Sequence, residues 1–556
     1  MARKVSMSDN RWLGVLMDVS CAAVSVQIRL GKDTLLARAY DAMNDRRGER
    51  MVARPILDEL QTIRQWLAKC EGHDCAAKVT FAGRPSRLLR LSRDSVTLVQ
   101  TPAVTPTPRY VTLSYCWGAI KRRKKLTFES KAEFERGVEY SSLPRTISEA
   151  ARLVYNLGIP YIWVDSLCII QGSDEWKYEA KRMHEVYGHA VFTLAPTSAE
   201  HNDDTMEFIR PGSEVAVQGP TRVKFAQLIA FAGPVDVPSS SIRTVLEQSS
   251  LADRGWIFQE EILSPRMVYW SDEGLIWSCL QHKDTAGSVT LGEGDLKQLP
   301  LQYQGFWAQT DPQRMWPDMI ANYSKRSFTD PSDRLKALEG VAATVHELGN
   351  DKYLSGNWRR EFPHFLSWTA ERDHERGEKP TPSKALAPSW SWASVPPPRP
   401  IRMDDHKQQG TAIFHNVIGA GEDTLIMTGR LTILTSNLKE IDWPRQVVVR
   451  PNGSVECPAF THGRCVFAIE PQPGRRYVLV SRQGKKCSRG TFDFSDVSDD
   501  DVCRLHCFEI TASAFLLLLP TSTAMAQRSF RRVGCVQRCE EPGFFVDAEA
   551  VQIALS

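Results

Sequence analysis

Between Tyr110 and Ala195 the apolar pattern switches repeatedly between a period of two and a period near 3.6, and this constrains the fold more than any other feature. The run Tyr110-Val-Thr-Leu-Ser-Tyr-Cys116 ends at Trp117-Gly118 and reads as a strand followed by a turn. Thr146-Ile-Ser-Glu149 has the form of a capping box. Ile147, Ala150, Ala151, Val154 and Leu157 then recur at helical spacing, and Gly158 supplies the stop. Tyr161-Ile-Trp-Val164 and Leu167-Cys-Ile-Ile170 form a nearly continuous apolar run, the pattern of a strand buried on both faces. A second helix is expected from about Asp174 to Gly188, and Ala190 to Ala195 reads as a third strand. Strand, helix, strand, helix, strand implies crossover connections and parallel pairing. The expected fold is therefore α/β, an open parallel sheet with flanking helices. Ile162 to Val164 should lie in its central strand, flanked by strands near Val111–Tyr115 and Val191–Ala195.

The whole chain, at 556 residues, has room for three or four such units. The Thr/Pro-rich segment 93–109 and the stiff Val395-Pro-Pro-Pro-Arg-Pro400 read as connectors. They divide the chain into an N-terminal region (1–105), the α/β unit (106–265), a mainly helical, Trp-rich region (266–395) and a β-rich C-terminal domain (396–556). Leu335, Leu338, Val341, Ala342 and Val345 supply the helical face of the third part. Gln446-Val-Val-Val449, Tyr477-Val-Leu-Val480 and Phe515-Leu-Leu-Leu-Leu519 are strands of the fourth.

Composition narrows the function classes. Charged residues make up 24% and the formal net charge is +3, too even a balance to call for nucleic acid or a membrane surface as partner. No apolar run reaches the roughly 18–20 residues of a membrane span, and the Trp12–Val26 stretch, broken by Asp18, Ser20 and Ser25, reads as strand rather than signal peptide. Thirteen scattered cysteines, an odd number, fit reduced thiols of a cytoplasmic chain better than a disulfide framework. Neither a Walker phosphate loop nor GxGxxG occurs, which argues against ATPase and Rossmann oxidoreductase readings.

Five segments together resemble the fungal heterokaryon-incompatibility (HET) domain proteins. They are Leu113-Ser-Tyr-Cys-Trp-Gly118; Leu143-Pro-Arg-Thr-Ile147 running on to Ile162-Trp-Val-Asp-Ser-Leu-Cys-Ile-Ile-Gln171; Trp176, Glu179, Met183 and Tyr187; Arg254-Gly-Trp-Ile-Phe-Gln-Glu260 with Leu263, Ser264 and Arg266; and Ala387-Pro-Ser-Trp-Ser-Trp-Ala-Ser394 after Trp358 and Trp368. The resemblance implies a role in self/non-self recognition and programmed cell death. It also implies distant similarity to TIR domains, some of which cleave NAD. NAD is then a possible substrate. The alternative is a non-enzymatic module acting through a protein partner or self-association.

Glu179 is the candidate catalytic residue under the enzymatic reading. On a helical wheel it falls at the edge of the face formed by Trp176, Ala180, Met183 and Tyr187, where a carboxylate can be partly desolvated and can stabilise an oxocarbenium-like state. Equally, it can pair with Arg182. Asp165 interrupts an apolar run at the carboxyl end of a strand, where ligands bind in open α/β sheets; it is read either as a site residue or as a carboxylate capping a loop. Ser114, Tyr115, Trp117 and Trp176 are candidate substrate contacts. Arg254, Gln259 and Glu260 around Trp256 are read either as a binding surface or, the favoured reading, as a structural motif that locks the unit's last helix, and Trp390 and Trp392 as structural anchors sharing one side of an extended segment. Cys70, His73 and Cys75 offer three zinc ligands without a standard spacing, and incidental thiols are the competing reading. Cys503, His506, Cys507, Cys535 and Cys539 pose the same alternative, and Lys121-Arg-Arg-Lys-Lys125 is a solvated loop, a nuclear signal or an anion contact.

Overall fold

A computed structural model of the chain describes residues 3–6, 12–20, 23–30, 33–40, 59–72, 75, 83–101, 108–117, 124–199, 206, 241–271, 274–287, 289, 315–370, 386–403, 410–418, 424–433, 448–449, 455–456, 464–469, 477–482, 485–493, 497, 501, 504–521, 528–537, 544–545 and 548–556. Four strands, β1 (Arg3–Ser6), β2 (Trp12–Ser20), β3 (Ala23–Leu30) and β4 (Asp33–Tyr40), pair antiparallel in sequence order. The Trp12–Val26 stretch is thus two strands of one hairpin.

The centre of the molecule is a nine-stranded mixed sheet flanked by helices. Its strands are β5 (Arg87–Leu91), β6 (Ser95–Gln100), β7 (Tyr110–Leu113), β8 (Val138–Glu139), β9 (Tyr161–Trp163), β10 (Thr193–Pro196), β11 (Arg266–Ser271), β12 (Gly274–Cys279) and β13 (Lys283–Gly287), in the spatial order β13-β12-β11-β10-β7-β9-β5-β6-β8. The middle four, β11, β10, β7 and β9, run parallel, and every other pairing is antiparallel. The sheet thus takes strands from both sides of the 106–265 segment. β9 is the end strand of the parallel set rather than its centre: it lies between β7 and the antiparallel β5, and β10 pairs with β7.

Three local expectations change. The apolar run 161–170 does not stay extended: after Trp163 the chain turns into the short helix α4 (Asp165–Cys168), with the Val164 carbonyl accepting from the Leu167 and Cys168 amides. A short buried apolar run does not distinguish a strand from a buried helical turn. The helix expected over 174–188 is two, α5 (Glu175–Lys181) and α6 (Met183–Gly188), broken at Arg182 (φ −102°, ψ 8°). Arg182 bonds Glu185 at 2.6 Å and the Arg84 carbonyl at 2.8 Å. The capping box is not formed. Helix α3 (Arg145–Asn156) has Pro144 rather than Thr146 at its N-cap, and Glu149 instead bonds Arg145 at 2.8 Å and the Met206 amide at 2.6 Å. Its end is as read: Gly158 takes φ +82°, a conformation that favours glycine.

Between β10 and β11 come α7 (Ile242–Glu247) and α8 (Gly255–Leu263), and the helical region contributes α9 (Trp316–Tyr323), α10 (Asp333–Lys336) and α11 (Glu339–Gly349). Leu338, Val341, Ala342 and Val345 are buried, as their spacing predicts, but Leu335 sits on the separate turn α10. Trp358, Trp368, Trp390 and Trp392 are all fully buried. Trp390 and Trp392, however, enter different cores. Trp392 joins the core of the central sheet, where it meets Tyr323 edge-on, whereas Trp390 packs with Phe362 in the core of the C-terminal sheet. The segment bends into a 3-10 turn at Trp392–Ser394, so the simple alternation of an extended chain does not hold. The C-terminal sheet itself is antiparallel along its main path, and Phe515–Pro520 is a buried strand within it. Leu516 and Leu518 face one core, and Phe515, Leu517 and Leu519 the other.

Candidate functional site

In an open sheet the carboxyl ends of parallel strands leave a crevice where ligands bind. Here β7 runs out into Ser114, Tyr115, Cys116 and Trp117, and β9 into Val164, Asp165 and Ser166. The turn into α4 brings the Asp165 carboxylate back over the strand end: its Oδ1 accepts the Ser166 amide at 2.6 Å and its Oδ2 the Trp117 indole N–H at 2.8 Å. The Tyr115 hydroxyl meets Ser166 Oγ at 2.7 Å, which ties the two strand exits together. Arg254, the residue before α8, donates from its guanidinium to the Tyr115 carbonyl at 2.9 Å.

Beneath these groups sits Glu260, on the second turn of α8. Its carboxyl faces the Ser114 and Tyr187 hydroxyls and the charges of Asp165 and Arg254. Ser114 is fully buried, and its hydroxyl has no hydrogen bond of ordinary geometry. Burial pushes Glu260 up to about 7, with the Asp165 charge adding to the rise and the Ser114 and Tyr187 hydroxyls and Arg254 opposing it. Burial likewise pushes Asp165 up to about 6, against the Ser166 and Trp117 hydrogen bonds and Arg254. The arrangement is graded in depth. Trp117, Asp165 and Arg254 keep part of their surface exposed, while Ser114 and Glu260 are buried below them. Two carboxylates of raised pKa beside one guanidinium and one accessible indole can bind a cationic or polar group and move a proton near neutral pH.

Glu179 lies apart from this cluster. It is 2% exposed, and Ser86 donates a hydroxyl hydrogen bond to its carboxylate. Burial raises its pKa, and its other charged neighbours are Arg182, Glu175 and Arg87. Arg87 pairs with Glu175 and donates to the Cys168 carbonyl at 2.9 Å. Trp176 packs edge-on against Trp256 at 4.8 Å between ring centres, and Trp256 donates to Asp333 at 3.3 Å. Gln259 donates to Met183 Sδ at 3.0 Å. The buried ion pair that holds α8 is Glu261 with Arg326, at 2.8 Å.

Sequence reasoning placed Ser114, Tyr115, Trp117 and Asp165 at strand ends but did not join Glu260 and Arg254 to them. A signal was present. α8 reads Gly-Trp-Ile-Phe-Gln-Glu-Glu-Ile-Leu263, apolar all round, so acidic groups inside it are buried and need partners. Cys70 and Cys75 lie within 4.8 Å of Cys279 Sγ, while His73 lies outside the described residues. Cys507 and Cys535 point into opposite cores of the C-terminal sheet, and Cys503 and Cys539 lie outside the described residues. Of the basic run, Lys124 pairs with Glu133 at 2.8 Å, and 118–123 lie outside the described residues.

The span that builds this site, residues 110–260, matches the family described as Heterokaryon incompatibility protein (HET). The chain carries a HET domain. The match starts at the first residue of β7 and ends at Glu260, so the HET domain's limits enclose Ser114, Tyr115, Trp117, Asp165, Arg254 and Glu260. No curated protein and no solved structure matches the chain. Among the described residues, no helix is long and apolar enough to cross a membrane.

Proposed function

We propose that this chain acts in heterokaryon incompatibility and cell-death signalling, and that its HET domain does so by hydrolysing the nicotinamide–ribose bond of NAD at the Asp165–Glu260 cluster. The observation that carries the reading is a pair of carboxylates with raised pKa, one partly exposed and one buried, beside Arg254 and the accessible indole of Trp117. Each part has a task. The indole offers a stacking face for the nicotinamide ring. Arg254 suits a phosphate oxygen. The C–N bond breaks with its electron pair leaving on nicotinamide, which departs neutral, so no acid is needed at the leaving group. The ribosyl cation left behind is stabilised by the ionised Glu260 carboxylate. Water then forms the new C–O bond, and Asp165 takes its proton.

Both carboxylates must be ionised in this scheme, so nicotinamide release should rise as pH increases through about 6–7. The two groups interact, so the rising limb belongs to the pair. Purified protein is incubated with NAD and free nicotinamide is measured. Glu260→Gln and Asp165→Asn should each lower turnover roughly 10²–10³-fold, while Glu179→Gln, away from the cluster, should keep turnover in proportion to folded protein. Loss in Glu179→Gln alone would move the chemistry to the Ser86–Glu179 contact. A wild-type protein that kills cells but releases no nicotinamide leaves assembly with a protein partner or with a second copy as the working account.

A further inference from the structure

At the opposite edge of the central sheet, where the parallel strands begin, three thiols meet. Cys70 lies in the last turn of α1 (Glu59–Glu71), Cys75 just beyond it, and Cys279 is the final residue of β12. Their sulfurs all lie within 4.8 Å of one another, and all three residues are buried. Zinc bound tetrahedrally at Zn–S distances near 2.3 Å needs sulfurs about 3.8 Å apart, which shifts of a fraction of an ångström per side chain would supply.

Two further observations point to a ligand. Arg266 is the cross-strand partner of Cys279 and is 9% exposed. Among the described residues its guanidinium is met by Cys70 Sγ at 3.1 Å and the Val191 carbonyl at 3.3 Å, and by no carboxylate. A buried cation without a counter-charge is unfavourable. Three thiolates around a divalent ion leave one net negative charge, which Arg266 balances. The second observation is the turn after Cys279. The His282 amide donates to Cys279 Sγ at 3.2 Å, and the Cys279 amide to the His282 carbonyl at 2.8 Å. An amide aimed at sulfur stabilises a thiolate and holds it in position.

We propose that Cys70, Cys75 and Cys279 bind a structural zinc ion that fastens α1 to the edge of the central sheet. Arg266 neutralises the site, and one of zinc's four positions is left to water or a further donor. Each thiol gives up its proton to solvent on binding, and no redox step is involved. The ion continues a contact the fold already makes, since Trp66 of α1 stacks on Trp277 of β12 at 6.0 Å between ring centres.

The test uses the full chain, purified under reducing conditions without chelator, with metal content measured by mass spectrometry. Zinc equimolar with protein is expected. Cys70→Ser, Cys75→Ser and Cys279→Ser should each lose it, while Cys535→Ser, in the C-terminal sheet, should keep it. Because these serine variants can also fail to fold, the wild-type protein is exchanged with cobalt(II). Thiolate-to-cobalt charge transfer and tetrahedral ligand-field bands are expected. A wild-type protein that is free of zinc and gives no such bands after reduction and reconstitution overturns the proposal. So does a disulfide between any two of the three cysteines in protein isolated without reductant. A chelator that removes the zinc should lower the melting temperature whether or not the protein releases nicotinamide, so this result stands apart from the carboxylate site.

Discussion

Glu260 is a carboxylate held where an ionised group is unfavourable, so its ionisation costs the fold stability as pH rises. Its ordinary value is 4.5, and the fold raises it to about 7. The folded chain therefore holds the proton more tightly than the unfolded chain. The cost of ionisation is absent below pH 4.5, grows between 4.5 and 7, and is fully present above 7. A rise of this size corresponds to roughly 3 kcal/mol at pH 8. Gln keeps the shape and the acceptor oxygen that faces Ser114 and Tyr187 but never ionises. Glu260→Gln should thus be more stable than wild type by roughly 3 kcal/mol in urea unfolding at pH 8, with the gap closing toward pH 4.5. A stability cost of this kind is what the proposed role of Glu260 predicts, since groups that serve activity commonly do so at the expense of the fold. A gap of equal size at both pH values would mean that packing, and not charge, sets the difference.

At the scale of elements, α11 packs against α6 and α8 closely enough for one methyl group to matter. Gly340, in the first turn of α11, lies against α8 and α6. A Cβ there would stand 2.9 Å from Gln259 Oε1, 3.2 Å from Leu263 Cδ1 and 3.4 Å from the His184 backbone nitrogen. Helix propensity alone favours Gly340→Ala by about 1 kcal/mol. Overpacking against a buried side chain and a backbone atom should outweigh this, giving a net loss of roughly 1–3 kcal/mol in chemical denaturation; a stabilised variant would show that the three helices can separate at no cost. The close approach illustrates what the sequence makes legible. Strands β7 and β10, the helix stop at Gly158 and the buried strand at Phe515 follow from local periodicity and turn chemistry. The turn at Asp165, the break at Arg182 and the entry of β5 and β6 into the central sheet depend on contacts between residues far apart in sequence, which periodicity does not encode. The candidate site divides in the same way. Ser114, Tyr115, Trp117 and Asp165 flank strand ends and are visible locally, whereas Glu260 and Arg254 join them only once α8 is docked.

Across the whole molecule, a buried cation is one of several ties between the C-terminal sheet and the Trp-rich segment, beside the shared core around Trp390 and the Gln537–Ser367 contact. Arg532 is fully buried, bonds Asp493 at 2.9 Å, donates to the Leu366 and Trp368 carbonyls, and lies 3.5 Å from the centre of the Trp368 ring. Trp368 in turn donates to the Trp390 carbonyl at 3.0 Å, two residues before Trp392 enters the central core. Replacing Arg532 by Met removes the charge that neutralises Asp493, itself 1% exposed, and strands two carbonyls. Breaking a buried pair from one side costs roughly 3–5 kcal/mol, whereas removing both charges costs much less. Arg532→Met should therefore open the C-terminal sheet to limited proteolysis while the HET domain stays protected, and should split thermal unfolding into two transitions. Adding Asp493→Leu to Arg532→Met should recover part of the loss, because no unpaired carboxylate remains buried. If the double variant is as labile as the single one, the two stranded carbonyls and the lost contact with Trp368, rather than the charge on Asp493, hold the sheet in place.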